Sequence, residues 1–256
     1  MPPETKPRVE VLYCGDTSLD TAASYLAGLL ANAGIKFHYV PSDKPVEENL
    51  VNGSWSLVIV SDYPSPRFSR ELQNVVVSRV EKGAGLLMIG GWESFHGLGG
   101  DWDGTPIGDL LPVVIGNKDD RWNCDRPLIV KQQAAHPIVD ALPFQSRPPL
   151  IGGLNRIQVK PGDTQLLSAE QFQLEWNGDT PQLKPSASYP LLVVGKRGQG
   201  RVATFSSDVA PHWVGPLVDW GDARVTATAP GAPGIEVGDL YTEFFTRLVL
   251  WTAGRP

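Results

Sequence analysis

Only two cysteines, Cys14 and Cys124, occur in this chain of 256 residues. That is too few for a disulfide framework, and their separation in sequence is too large for a zinc knuckle. Two free thiols in a reducing cytoplasm is the simpler reading. No apolar run in the sequence approaches the ~20 residues of a membrane span. The opening Met1-Pro2-Pro3-Glu4-Thr5-Lys6-Pro7 lacks the apolar core of a secretory signal. The expected location is therefore the cytoplasm, with no membrane partner. A basic face is lacking too. The net charge is -6 with both signs interspersed, which argues against a nucleic-acid partner. Internal repeats and low-complexity tracts are absent, so 1–256 reads as a single domain with a loose Pro-rich tail at 1–7.

What is present is a run of short apolar strands separated by helical periods. Val9 to Tyr13, Ile35 to Val40, Leu57 to Val60 and Leu86 to Ile89 read as buried strands. Between the first two, Thr17 and Asp20 form a capping-box pattern ahead of Leu19, Ala22, Ala23, Leu26, Leu29, Leu30 and Ala33. Ser65-Pro66 opens a second helix carrying Phe68, Leu72, Val75, Val76 and Val80. Short strands separated by helices predict βαβ units and a mainly parallel sheet. Further on, Gln165 to Ser168, Gln173 to Trp176 and Leu191 to Val194 read as added strands. Gly195-Lys196-Arg197-Gly198-Gln199-Gly200 lacks the Walker spacing and precedes a strand, so it predicts a hairpin turn rather than a phosphate loop. Residues 214–236 read as a long loop, and Asp239 to Thr252 as a closing helix.

Two strands empty abruptly into polar clusters. Leu86 to Ile89 stops at Gly90-Gly91 and is followed by Trp92, Glu93, Ser94, His96, Asp101, Trp102 and Asp103. Arg201 to Phe205 runs into Ser206-Ser207-Asp208 and then Pro211-His212-Trp213. In open α/β sheets, sites form outside the carboxyl ends of the strands. If the two strands are neighbours, Asp208 and His212 face Glu93, Ser94 and His96 across one crevice. His212 is then a candidate base, with Asp208 or Glu93 in support. Asp62, Trp92, Ser94, His96 and Trp213 are candidates for ligand contact. Asp101-Trp102-Asp103-Gly104 lacks the remaining oxygen positions of a calcium loop, so polar turn chemistry is its expected role. No metal and no cofactor is expected.

These residues resemble a family. Leu86-Leu87-Met88-Ile89-Gly90-Gly91, Ser94-Phe95, Thr105-Pro106 with Leu110-Leu111-Pro112, His136-Pro137, Gly200-Arg201-Val202 through Asp208, and Pro211-His212-Trp213 together resemble the glutamine amidotransferase-like proteins. These are bacterial relatives of the class I glutamine amidotransferase fold, and the resemblance runs from Val9 to Trp251. It implies an α/β, flavodoxin-like three-layer sandwich with added β hairpins. It also implies a cysteine nucleophile on the turn after the central strand, with a histidine and a glutamate further on. Here that turn is Gly90-Gly91, and His-Pro-Glu is missing near the last strand. The expectation is a protein without glutaminase activity that binds a small molecule or a protein partner in the crevice. The alternative is a hydrolase or amidase-type enzyme using His212 with Asp208 or Glu93, with or without a metal. A homo-oligomer is a fair expectation for either.

Overall fold

The computed structural model describes residues 9–255, so the tail at 1–7 lies outside the described residues. The strands are β1 (Glu10–Gly15), β2 (Lys36–Val40), β3 (Leu57–Ser61), β4 (Gly85–Ile89), β5 (Val113–Val114), β6 (Arg121–Gln132), β7 (Leu150–Asn155), β8 (Gln158–Val159), β9 (Thr164–Asn177), β10 (Thr180–Arg197), β11 (Gly200–Phe205), β12 (Arg224–Ala227) and β13 (Ile235–Gly238). The helices are α1 (Ala23–Asn32), α2 (Glu48–Val51), α3 (Arg70–Glu81), α4 (Pro106–Leu110), α5 (Pro211–Val214) and α6 (Asp239–Thr252).

Nine strands form one sheet in the order β2-β1-β3-β4-β11-β10-β9-β6-β7. The first five are parallel, in the order of a flavodoxin-like sheet. Strands β10, β9, β6 and β7 extend it with antiparallel pairs. Parallel strands are buried on both faces, and β1 shows why its sequence is continuously apolar. Val11 and Tyr13 enter one core with Leu26 and Leu30 of α1 and Phe245 and Leu248 of α6. Leu12 and Cys14 enter the other, with Val76 and Val80 of α3. The α/β sandwich with three layers is therefore present, and β11 pairs with β4 as the crevice required. The Gly198-Gln199 segment is the predicted hairpin turn, joining β10 to β11.

Three local expectations are corrected. Helix α1 begins at Ala23, with no side-chain cap, because Asp16 and Thr17 sit at positive φ (53° and 60°) and cannot start a helix. Ser65–Arg67 is a single 3₁₀ turn, and α3 is capped instead by Ser69, whose hydroxyl accepts from Leu72 N–H. The expected loop at 214–236 contains α5's last residue, a 3₁₀ turn at Gly215–Asp219, and the hairpin formed by β12 and the start of β13.

Candidate functional site

The carboxyl ends of β1, β3, β4 and β11 converge on a group of acids. Strand β1 delivers Asp16, which is buried and accepts hydrogen bonds from Tyr13 Oη and, at 3.0 Å, from Ser61 Oγ. Strand β3 delivers Asp62, whose Oδ1 accepts from Glu93 N–H at 2.5 Å. Strand β11 delivers Asp208, whose Oδ1 accepts from the N–H groups of Val209 (2.5 Å) and Ala210 (2.9 Å). His212, on α5, brings Nε2 to 2.8 Å from Asp208 Oδ2. The approach is that of an ion pair; the ring is not aligned for a straight hydrogen bond, and among the described residues buried Oδ2 has no other donor.

These groups share one electrostatic environment. Burial raises the Asp16 carboxyl well above the usual range, and the charges of Asp208 and Asp62 push the same way. Burial likewise pushes Asp62 up to about 6, and the Glu93 N–H opposes it. The Asp208 carboxylate raises the His212 imidazole against its partial burial. All three shifts are upward, and perturbed groups gathered at one set of strand ends are what acid–base or proton-sharing sites display. Asp16, Thr17, Asp62 and Phe95 all hold positive φ at these strand ends, so backbone strain gathers at the same rim.

The turn after β4 is closed. A Cβ built on Gly91 would stand 2.8 Å from Asp62 Cγ, and one on Gly90 would stand 2.3 Å from the carbonyl oxygen of Ser206. The Gly90 N–H donates to the carbonyls of Phe205 and Ser207. Asn155, at the end of β7, accepts from Gly91 N–H (3.0 Å) and donates to Gly91 O (3.1 Å). Its amide also reaches buried Asp120, which in turn accepts from the N–H groups of His96 and Gly97.

The remaining expected residues fall in different places. Ser94 is fully buried; its Oγ donates to Ile89 O and accepts from Asp62 N–H, tying β4 to the β3 turn. Glu93 is partly exposed, and burial raises its carboxyl. His96 pairs with Asp103 at 2.7 Å, which raises its imidazole. Trp213 is 2% exposed, with Nε1 donating to Asn123. Trp102 is fully enclosed and donates to Tyr63 O. Trp92 alone of these rings stands open, 46% exposed, with the Arg121 guanidinium 4.5 Å from its centroid. His136 lies elsewhere, edge-on to Trp251. Two grooves, of about 660 Å³ beside β2 and about 450 Å³ beside the end of β10, contain none of the acids. Volume alone does not mark chemistry, so the strand ends, where titratable groups converge, define the candidate site. Among the described residues, no group of three or more His, Cys, Asp or Glu is arranged to hold a metal.

Sequence reasoning missed Asp16, Asp120, Arg121 and Asn155. Asp16 and Asn155 each follow an apolar strand end, the signal already used for β4 and β11. Asp120 and Arg121 lie in a polar stretch with no such mark. The thiols are unpromising. Burial raises Cys14 strongly and pushes Cys124 up to about 11. Ellman's reagent is expected to modify at most one thiol of the native protein at pH 8 and two after denaturation. Fast reaction of both in the native state would contradict this burial.

A doubly wound sheet of flavodoxin order, with its polar residues gathered at the carboxyl ends of the parallel strands, defines an α/β protein of the flavodoxin-like class. The sequence profile of the family described as "Putative glutamine amidotransferase" matches residues 53–226, more than half of the chain. The chain belongs to this family. Two solved structures share the fold over nearly all of their length. Cytoplasmic protein STM3548 from Salmonella typhimurium is 21% identical, with a TM-score of 0.71 over 95% of this chain and 99% of that one. Cytoplasmic protein STM1381 from Salmonella typhimurium LT2 is 23% identical, with the same TM-score and coverage. A ThuA-like protein from Parabacteroides merdae is more distant, at 12% identity and a TM-score of 0.58 over 97% of this chain and 91% of that one. Comparison with curated proteins gives no match. Among the described residues, no helix is long and apolar enough to cross a membrane.

Proposed function

We propose that this protein binds a small polar ligand in the crevice at the carboxyl ends of β1, β3, β4 and β11, and does not hydrolyse glutamine. One observation carries the reading: the Asp62 carboxylate fills the space that a side chain on Gly91 would need. Thiolate attack on a carboxamide needs a nucleophile on that turn and N–H donors free to hold the oxyanion. Here the N–H groups of Gly90 and Gly91 are already engaged, and Cys14 is buried in the core under α3. The ligand's character follows from the rim. Asp62, Glu93 and the Asp208–His212 pair favour amino or hydroxyl donors, and exposed Trp92 offers a stacking face. A cytoplasmic location belongs to this proposal, supported by the two Salmonella neighbours being cytoplasmic proteins.

Ammonia release from glutamine by the purified protein is expected at background. A thermal-shift screen of small amines and polyols is expected to find compounds whose stabilisation is lost in Trp92→Ala. Robust ammonia release abolished by Cys14→Ser would overturn the reading. Turnover of a bound compound that disappears in His212→Ala would assign the hydrolase role, with Asp208 or Glu93 in support, instead.

A further inference from the structure

Strands β9 and β10 outrun the sheet. Strand β6 pairs with β9 only as far as Glu170, and β11 pairs with β10 only from Leu192 onward. Beyond those points, residues 171–188 form a two-stranded arm that stands free on both edges. It leaves the body at the carboxyl edge of β11, where Ser206 Oγ donates to Pro190 O. Its register places Phe172 opposite Pro185, Leu174 opposite Leu183, and Trp176 opposite Pro181. Directly opposed residues share a face, and residues two apart on a strand share it as well. All six apolar side chains therefore lie on one face of the arm. The other face carries Gln173, Glu175, Gln182 and Lys184, with Glu175 and Lys184 ion-paired.

The apolar face is open: Leu174 is 52% exposed, Trp176 65% and Leu183 61%. An isolated two-stranded ribbon is marginal in water. A contiguous exposed apolar patch rimmed by polar residues is a candidate interaction site. We propose that the occupant is a second copy of this chain, packed arm against arm about a two-fold axis.

Three features favour that occupant. First, the face reads the same in both directions. About the Leu174–Leu183 rung, one strand runs aromatic-Leu-aromatic and the other Pro-Leu-Pro. A two-fold axis across that rung sets Trp176 of one copy against Phe172 of the other and Leu183 against Leu183. An isologous contact requires such self-complementarity. Second, the face carries no charge, so two copies meet there without repulsion although each bears -6. Third, reversing one arm on the other places the two bodies at opposite ends, so their helices do not collide. Two ribbons of roughly seven rungs at ~3.4 Å per residue bury less than the ~800 Å² per partner of a standard interface. The dimer is thus expected to dissociate on dilution.

Sedimentation velocity over roughly 1 to 100 µM, a range set by the affinity of small interfaces, tests the proposal. The wild-type chain is expected to pass from monomer to dimer. Leu183→Lys and Leu183→Glu, each alone, are expected to stay monomeric with unchanged circular dichroism. An equimolar mixture of the two is expected to regain the dimer, because the axis brings position 183 onto itself. A wild-type chain that is monomeric throughout overturns the proposal. So does a single variant that dimerises like wild type, or a mixture that fails to regain the dimer, which would place the arm on another surface.

Discussion

Replacing Gly90 with alanine is expected to cost about 3–5 kcal/mol of stability, a large effect for one methyl group. The added Cβ would lie 2.3 Å from Ser206 O and 2.6 Å from Ser206 C, with Asn155 Oδ1 at 2.7 Å. None of these can retreat cheaply. Ser206 O accepts from Asn155 N–H at 2.8 Å, and Ser206 N–H donates to Leu191 O at 2.8 Å. Moving Ser206 therefore disturbs β7, β10 and β11 together. Overpacking typically costs ~1–3 kcal/mol, and each strained hydrogen bond adds about 1 kcal/mol. For a chain of this size, the melting temperature should fall by roughly 10 °C. Gly116→Ala is the control, since a Cβ there meets nothing within 4 Å. Thermal denaturation followed by circular dichroism checks both, and a Gly90→Ala chain as stable as the control would show that the turn relaxes freely. By the same geometry, Gly91→Cys should displace the Asp62 carboxylate rather than install a working nucleophile.

How far the sequence revealed this arrangement depended on where contacts are local. Strands β1, β3 and β4 are buried on both faces, so each reads as an unbroken apolar run, and α6 repeats on one face from Leu240 to Trp251. Those elements were legible. The antiparallel extension was legible only in part: strands at 165–168, 173–176 and 191–194 and the turn at 195–200 were expected, but not the full length of β10, because Pro181, Pro185 and Pro190 interrupt it and its alternating polar face resembles loop composition. Its pairing is also set by non-local register and three irregularities, two of them beside Pro185 and Pro190 and the third at Leu192. At the site, the strand ends were legible from the abrupt change from apolar to polar. Burial was not. Ser94 and Trp213 carry the residue types of a binding rim yet face inward, one bracing a turn and the other covering Gly153. Asp16 was hidden because Cys14-Gly15-Asp16 reads as an ordinary turn leaving the first strand, whereas Asp16 is buried at positive φ and bonded to Tyr13 and Ser61.

Asp62→Asn is expected to stabilise the protein at pH 8 and to have little effect near pH 3.5. Burial holds the folded Asp62 carboxyl at about 6, against 3.8 for the free group. Between those values the folded state binds more protons than the unfolded state, so stability falls as pH rises through this window. Above it the deficit persists, because the ionised carboxylate remains poorly solvated. Each pKa unit corresponds to ~1.4 kcal/mol; after discounting for partial solvent access, the deficit is on the order of 1–2 kcal/mol. Asparagine carries no charge and keeps the Oδ1 acceptor for Glu93 N–H. The value of about 6 already includes the attraction of His212, which pulls the other way. Urea denaturation at several pH values measures the difference. A variant destabilised more at pH 8 than at pH 3.5 would mean instead that the ionised carboxylate is favourable in the fold. If the predicted crossover holds, Asp62 is retained at a cost to stability, as residues serving binding or catalysis commonly are. A ligand that brings a cation or proton donor to Asp62 should then stabilise the wild-type chain more than the Asp62→Asn variant.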